Sequence, residues 1–264
     1  MQQIHDFHAE SMALADLLSA LPEAKWQMAT QFKAWTINDV IVHLHFWNRA
    51  ADLSLRDPSA FDDLMAKALP AFQASGMRAF ENAEITERGP ALYALWKNTV
   101  DDMLDRWRRV DPKARLKWAG PDMSARSMIT ARQMETWAHG QEVFDVLGHV
   151  QPQEDRIRNV VVLGVNTFGW SHQVHGRAIP EQIPELRLRA PSGEIWSYGD
   201  AGSGNVIEGN AVDFAQVVTQ TRNVADTDLR VQGEIAATWM AIAQCFAGPP
   251  ETPPAKGARF RASV

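Results

Sequence analysis

The segment from Ala125 to Leu147 restricts the possible architectures more than any other, because it reads as one long helix that is apolar on two sides. Met128, Ala131, Glu135, Ala138, His139, Glu142 and Val146 share one face, while Ile129, Trp137, Phe144 and Leu147 lie opposite. A helix of this kind is covered twice, by a bundle core on the Glu135 side and by a second domain or subunit on the Trp137 side. Gly148 is its natural stop. The first face also sets a carboxylate and an imidazole four residues apart, Glu135 and His139, with Cβ atoms roughly 5–6 Å from one another. That spacing suits two ligands of one metal ion, and Glu142 follows on the same face three residues after His139. An isolated E-x-x-x-H is a weak signal, since such pairs are common on exposed helices, so its weight depends on the rest of the chain.

Three further amphipathic helices precede it. Ile4, Phe7, Leu14, Leu17, Leu18 and Leu21 recur at helical spacing until Pro22 interrupts them. Thr36 and Asp39 form a capping box, with Asp in place of the usual Glu or Gln, and start a second helix. On it, Val40, Phe46, Trp47 and Ala50 share a face with His43, which therefore points to the core, whereas His45 points away with Ile41 and Asn48. His43 is the best candidate for a third ligand. Residues 58–77 read as one or two short helices with a loop at Ser75-Gly76, and residues 90–110 as another long helix that stops before Asp111-Pro112. Lys117-Trp118-Ala119-Gly120-Pro121 then makes a turn-rich approach to the ligand helix. His5 and His8 are assigned to a solvated face.

After Pro152 the pattern changes. Residues 158–175 read as a helix closed by Gly176, with His172 and His175 at a solvated end. Leu186–Ala190 and Ile195–Tyr198 alternate around a Pro-Ser-Gly-Glu turn and predict a hairpin, with a third strand at 206–209 in an antiparallel sheet. Helices at 211–220 and 236–246 follow. The expected organisation is α+β: a helix bundle over residues 1–150, a small C-terminal α/β domain over 151–250, and a flexible tail over 251–264.

A net charge of −6 lacks the basic footprint of a nucleic-acid binder, so a small-molecule substrate is the expected partner. The single cysteine, Cys245, excludes an internal disulfide and a cysteine cage, leaving His and carboxylates as metal ligands. Its apolar surroundings assign it to core packing. No secretory signal or membrane-length apolar run is visible, so the expectation is a cytoplasmic monomer or homodimer without a membrane partner.

Trp35-Thr36, Asp39 and His43-Leu44, followed by Met134-Glu135-Thr136-Trp137-Ala138-His139-Gly140-Gln141-Glu142-Val143, make the N-terminal half resemble the DinB-like metal-binding four-helix bundles. Within these, the chain is similar to the mycothiol-dependent maleylpyruvate isomerase group. The likeness continues through Ala190–Trp196, Gly209–Phe214, Thr219–Arg222 and Ala243–Pro250, and looks strongest to an uncharacterised branch with Gly120-Pro121 and Met123-Ser124 ahead of the ligand helix. The resemblance implies His43, Glu135 and His139 as metal ligands and Arg222, from the C-terminal domain, as the arginine that assists catalysis. Glu142 matches an acidic position that is more often Asp, and Lys33-Ala34 stands where the group usually has a glycine.

Two imidazoles and one carboxylate on one side of an ion leave other positions open, as in a catalytic site. Zinc suits these donors first, with nickel, iron or manganese allowed. The implied cofactor is a low-molecular-weight thiol such as mycothiol, and the implied activity is isomerisation or thiol transfer on a small carboxylate-bearing electrophile, with Arg222 holding the carboxylate. Hydrolysis or hydration by metal-bound water, with Glu142 as base or as support for His139, is one alternative. A metal-binding module without turnover is another.

Overall fold

The computed structural model describes residues 1–263, which divide into two compact units at His149 and Val150. In the first, α1 (Gln2–Leu18), α2 (Ile37–Arg56), α5 (Gly89–Trp107) and α6 (Ala125–Val146) form a four-helix bundle. α1 packs on α5 and α6, and α2 closes the ring by packing on the same two helices. Ile4, Phe7, Ile41, Trp96, Trp107, Met128 and Ile129 fill its core. The expected capping box is present, with Asp39 N–H donating to Thr36 Oγ1 at 3.1 Å and Thr36 N–H to Asp39 Oδ2 at 2.8 Å. It anchors the first turn of α2, and His43 follows seven residues after the cap. α6 starts from Ser124, whose Oγ accepts from Ser127 N–H, and ends where Gly148 turns the chain at φ +75°.

α3 (Pro58–Ser75) and α4 (Met77–Glu84) form a helical pair beside α2, joined by Gly76 at φ +87°. The Ser75-Gly76 break was expected, whereas α4 was not. α4 is eight residues long, barely two turns, too short for its amphipathic pattern to stand out from the flanking loops. A two-residue ladder, β1 (Arg115–Leu116) with β2 (Met123–Ser124), closes the turn-rich segment before α6.

The second unit contains α7 (Arg158–Asn166), α8 (Phe168–Val174), α9 (Ala211–Val218) and α10 (Glu234–Ile242) with a four-stranded sheet. The single helix expected over 158–175 is broken at Thr167, whose hydroxyl donates back to Leu163 O at 2.9 Å. His172, placed at a solvated end by the sequence, is instead buried, with its Nδ1 bonded to Phe168 O at 2.9 Å.

The sheet is mixed, where an antiparallel one was expected. β3 (Glu185–Arg189) pairs antiparallel with β4 (Ile195–Tyr198) as predicted, but β5 (Val206–Asn210) joins β3 in parallel. No helical crossover is required, because β4 ends at the edge where β3 begins and a short loop carries the chain past that end to the other side of β3. The loop runs so close that a Cβ on Gly199, at φ +76°, would lie 2.0 Å from Pro184 O. β6 (Arg230–Gln232), absent from the sequence reading, completes the order β4-β3-β5-β6. Residues beyond 250 hydrogen-bond to the turn after α9, with Gln220 donating to Glu251 O and Asn223 to Pro254 O. Among the described residues, no helix is long and apolar enough to cross a membrane.

Candidate metal centre

The i, i+4 spacing on α6 brings Glu135 Oε2 and His139 Nε2 to 3.3 Å. From α2, His43 Nε2 meets the same oxygen at 3.5 Å. The three residues offer donor atoms that all lie within 4.8 Å of one another. Two ligands held about 2.1 Å from a tetrahedral ion stand about 3.4 Å apart, so the two shortest separations already match one ion between them. Glu142, buried one turn beyond His139, is outside this cluster. Arg222 belongs to the second unit, where its Nη1 donates to Thr221 O at 2.8 Å in the turn after α9.

A residue that the sequence reading passed over organises the α2 side. Glu81 on α4 is buried and faces His43 Nδ1 with both carboxylate oxygens, at 2.9 and 3.1 Å. A carboxylate only accepts, so Nδ1 carries a proton and Nε2 is the nitrogen that gives up its proton to bind an ion. Trp47 Nε1–H donates to the same carboxylate at 2.8 Å. This is the outer carboxylate that metal-bound histidines commonly use to hold ring orientation and raise basicity. Its only sequence signal is one of two acidic residues in an eight-residue helix.

Aromatic rings wall the other side. Trp35 stacks on His139 with centroids 5.8 Å apart and 6° between planes, and Phe32 meets the same imidazole edge-on at 5.1 Å. Both come from a tight loop pinned by the Ala29–Thr36 bridge and by Thr30 N–H donating to Trp35 O at 2.7 Å. Lys33 and Ala34 in that loop stand at φ 51° and 53°. This is the left-handed region that a glycine enters without steric cost and that side chains such as those of Lys33 and Ala34 seldom adopt.

Electrostatics follow from burial and proximity. Burial alone would lower the His43 imidazole, but the carboxylates of Glu81 and Glu135 outweigh it and push it up to about 9. Burial would raise Glu135, yet bonds from His139 and His43 and the nearby Arg132 guanidinium hold it well below the usual carboxylate range. His139 is lowered, by burial first and by His43 beside it, with Glu135 opposing. A carboxylate kept ionised among imidazoles is a suitable set of donors for a divalent cation, because every ligand must shed its proton to bind.

Residues 7–144 match the family model described as the mycothiol maleylpyruvate isomerase N-terminal domain. The chain belongs to that family. Two uncharacterised proteins from two strains of Mycobacterium tuberculosis are each 38% identical to it over 248 residues, covering 94% of this chain and 96% of theirs. Among solved structures, a crystal structure of the mycothiol-dependent maleylpyruvate isomerase and one of a histidine-to-alanine mutant each align with a TM-score of 0.54 at 18% identity. They cover 82% of this chain and 87% of theirs, so the likeness extends beyond the bundle and shares the fold. The α+β expectation, with an N-terminal bundle of the DinB-like kind, holds. The family and its solved member are both named for an isomerase, which makes this a member of an enzyme family.

Proposed function

We propose that this family member is a metal-dependent enzyme that uses a low-molecular-weight thiol, mycothiol or one like it, to isomerise a small carboxylate-bearing electrophile or to transfer the thiol to it. The observation that carries the reading is the three-donor cluster of His43, Glu135 and His139, with separations that fit one ion and donors from only two helices. A divalent ion there, zinc by the chemistry of two imidazoles and a carboxylate, would supply the Lewis acidity that keeps a thiol ionised near neutral pH.

The chain's own residues have separate tasks. Glu81 fixes the His43 tautomer, and Trp35 and Phe32 exclude water beside His139. Glu142 supports the ligand helix from the turn beyond His139, and Arg222 holds a substrate carboxylate, for which its planar fork is suited. The thiolate sulfur adds to an activated C=C bond, and the resulting single bond rotates. The sulfur then leaves with its electron pair and restores the double bond as the other geometric isomer. If another group leaves instead, the outcome is thiol transfer. The reading places the protein in the cytoplasm, where small thiols stay reduced.

The test is elemental analysis and turnover on one preparation. Close to one equivalent of metal, lost in H139A, together with turnover that requires added thiol, is the expected result. Turnover without thiol would favour hydrolysis or hydration by metal-bound water, and tight metal without turnover a binding module. Metal retained in H139A would remove the ligand assignment.

A further inference from the structure

Arg132 lies on α6 one turn before Glu135, on the ligand side of that helix, and is 3% exposed. Its closest carboxylate contact is long, Nη2 to Glu135 Oε1 at 3.8 Å, beyond hydrogen-bond range. Nε and Nη1 are buried and have no hydrogen-bond partner among the described residues. The guanidinium lies over the Trp118 ring, 5.5 Å from its centroid, and Trp118 packs on Trp47 and Phe61. Trp47 in turn bonds Glu81, so the arginine shares a wall with the His43 support. Buried donors in folded proteins are nearly always bonded, and a buried cation more so. Holding Glu135 in place does not account for this side chain, because that contact leaves the fork unused.

Charge points the same way. With a divalent ion on His43, Glu135 and His139, the ion and the Arg132 guanidinium carry three positive charges against two on the carboxylates of Glu135 and Glu81, an excess of one before thiol or substrate binds. A buried positive excess of that kind selects an anion. A planar guanidinium with two free donors selects a planar one, since carboxylate oxygens match its fork in pairs.

We infer that Arg132 is a carboxylate-recognising residue of the bundle itself, binding an acid group of the electrophile beside the metal centre from under the Trp118 turn. The inference rests on the thiol-dependent reading above for the identity of the electrophile, and it assigns to the Trp118 ring the task of covering the guanidinium. Arg132→Met removes the charge while keeping length, a change that buried ionic sites often tolerate without loss of stability.

Maleate, a stable dicarboxylate, and its uncharged dimethyl ester serve as probes in calorimetric titrations of the full chain, both zinc-loaded and metal-stripped. Maleate affinity is expected to fall roughly 10–100-fold in R132M, the loss of charge-assisted hydrogen bonds. R132K should recover part of it, the ester should not discriminate among the three proteins, and zinc content should stay unchanged. Equal maleate affinity in R132M and the unaltered protein overturns the assignment, as does a failure of the unaltered protein to bind maleate. Loss of zinc from R132M, with unchanged maleate binding in the stripped proteins, would make Arg132 a prop for Glu135 and also overturn it. Failure of the thiol-dependent reading shows separately, as turnover without thiol or none at all, while the maleate titrations still decide the role of Arg132.

Discussion

Replacing Glu81 by Gln tests what the buried carboxylate contributes to the metal centre, because the side chain keeps its shape while it loses its charge and one of its two acceptor oxygens. In the native protein, Oε1 accepts from both His43 Nδ1 and Trp47 Nε1, and Oε2 lies 3.1 Å from His43 Nδ1. A hydrogen bond to a charged group contributes about 1.5–3 kcal/mol and a neutral one about 0.5–1.5, so the substitution weakens the support by about 1–1.5 kcal/mol. That is about a tenfold loss of zinc affinity, at the low end of the range for outer partners of ligand histidines. The loss should be fully visible only above pH 9. Burial opposes protonation of His43, but Glu81 and Glu135 hold its proton up to about 9, so below that pH the proton competes with zinc and apparent affinity falls about tenfold per unit. E81Q removes one of the two carboxylates that retain the proton, so competition begins at a lower pH and the two affinity curves converge on acidification. Competition against a chelating dye between pH 6.5 and 9.5, with thermal unfolding as a control for folding, measures both quantities. Equal affinity at pH 9.5, or a gap that widens as pH falls, would refute the reasoning.

Three further outcomes are expected. In chelator-stripped protein, the raised His43 pKa gives stability that is fully present below its unfolded value near 6.5 and is lost as pH rises through about 9; urea unfolding should show a decline of about 3 kcal/mol, absent in H43Q. His45 behaves oppositely, because burial and then Arg49 push it down to about 4, against Glu87. The unfolded chain takes up that proton first, so this group should lower stability by about 3 kcal/mol from pH 6.5 to 4, and a decline smaller by that amount in H45Q identifies the source. Gly199→Ala would set a Cβ against Pro184 O in a left-handed backbone, and should destabilise the second unit by about 2 kcal/mol or more in proteolysis-monitored unfolding while leaving zinc content unchanged.

The parts of the site that were legible depend on local rules. Helical spacing puts Glu135 and His139 on one face whatever surrounds them, and the Thr36–Asp39 capping box determines the phase in which His43 turns inward. The same periodicity outlines α1, α2, α5 and α6, and alternation outlines the β3–β4 hairpin. Glu142 entered through its spacing after His139 and Arg222 through resemblance to known sequences, and the buried turn beyond His139 and the turn after α9 are where the structure places them.

What tertiary structure decided is the identity of the partners. Glu81 meets His43 across 38 residues of chain, from a helix of only eight residues, and no local rule couples those two positions. Arg132 reads in the sequence as one more polar residue on a long helix, and becomes a buried cation only because the Trp118 turn folds over it. The parallel placement of β5 depends on where β4 happens to end, and β6 is three residues whose strand character exists only in its pairing. Local periodicity thus determined which side chains face inward on each helix. Which of them meet depends on how the helices pack, because a contact between distant segments is made by the whole core and not by the residues that touch.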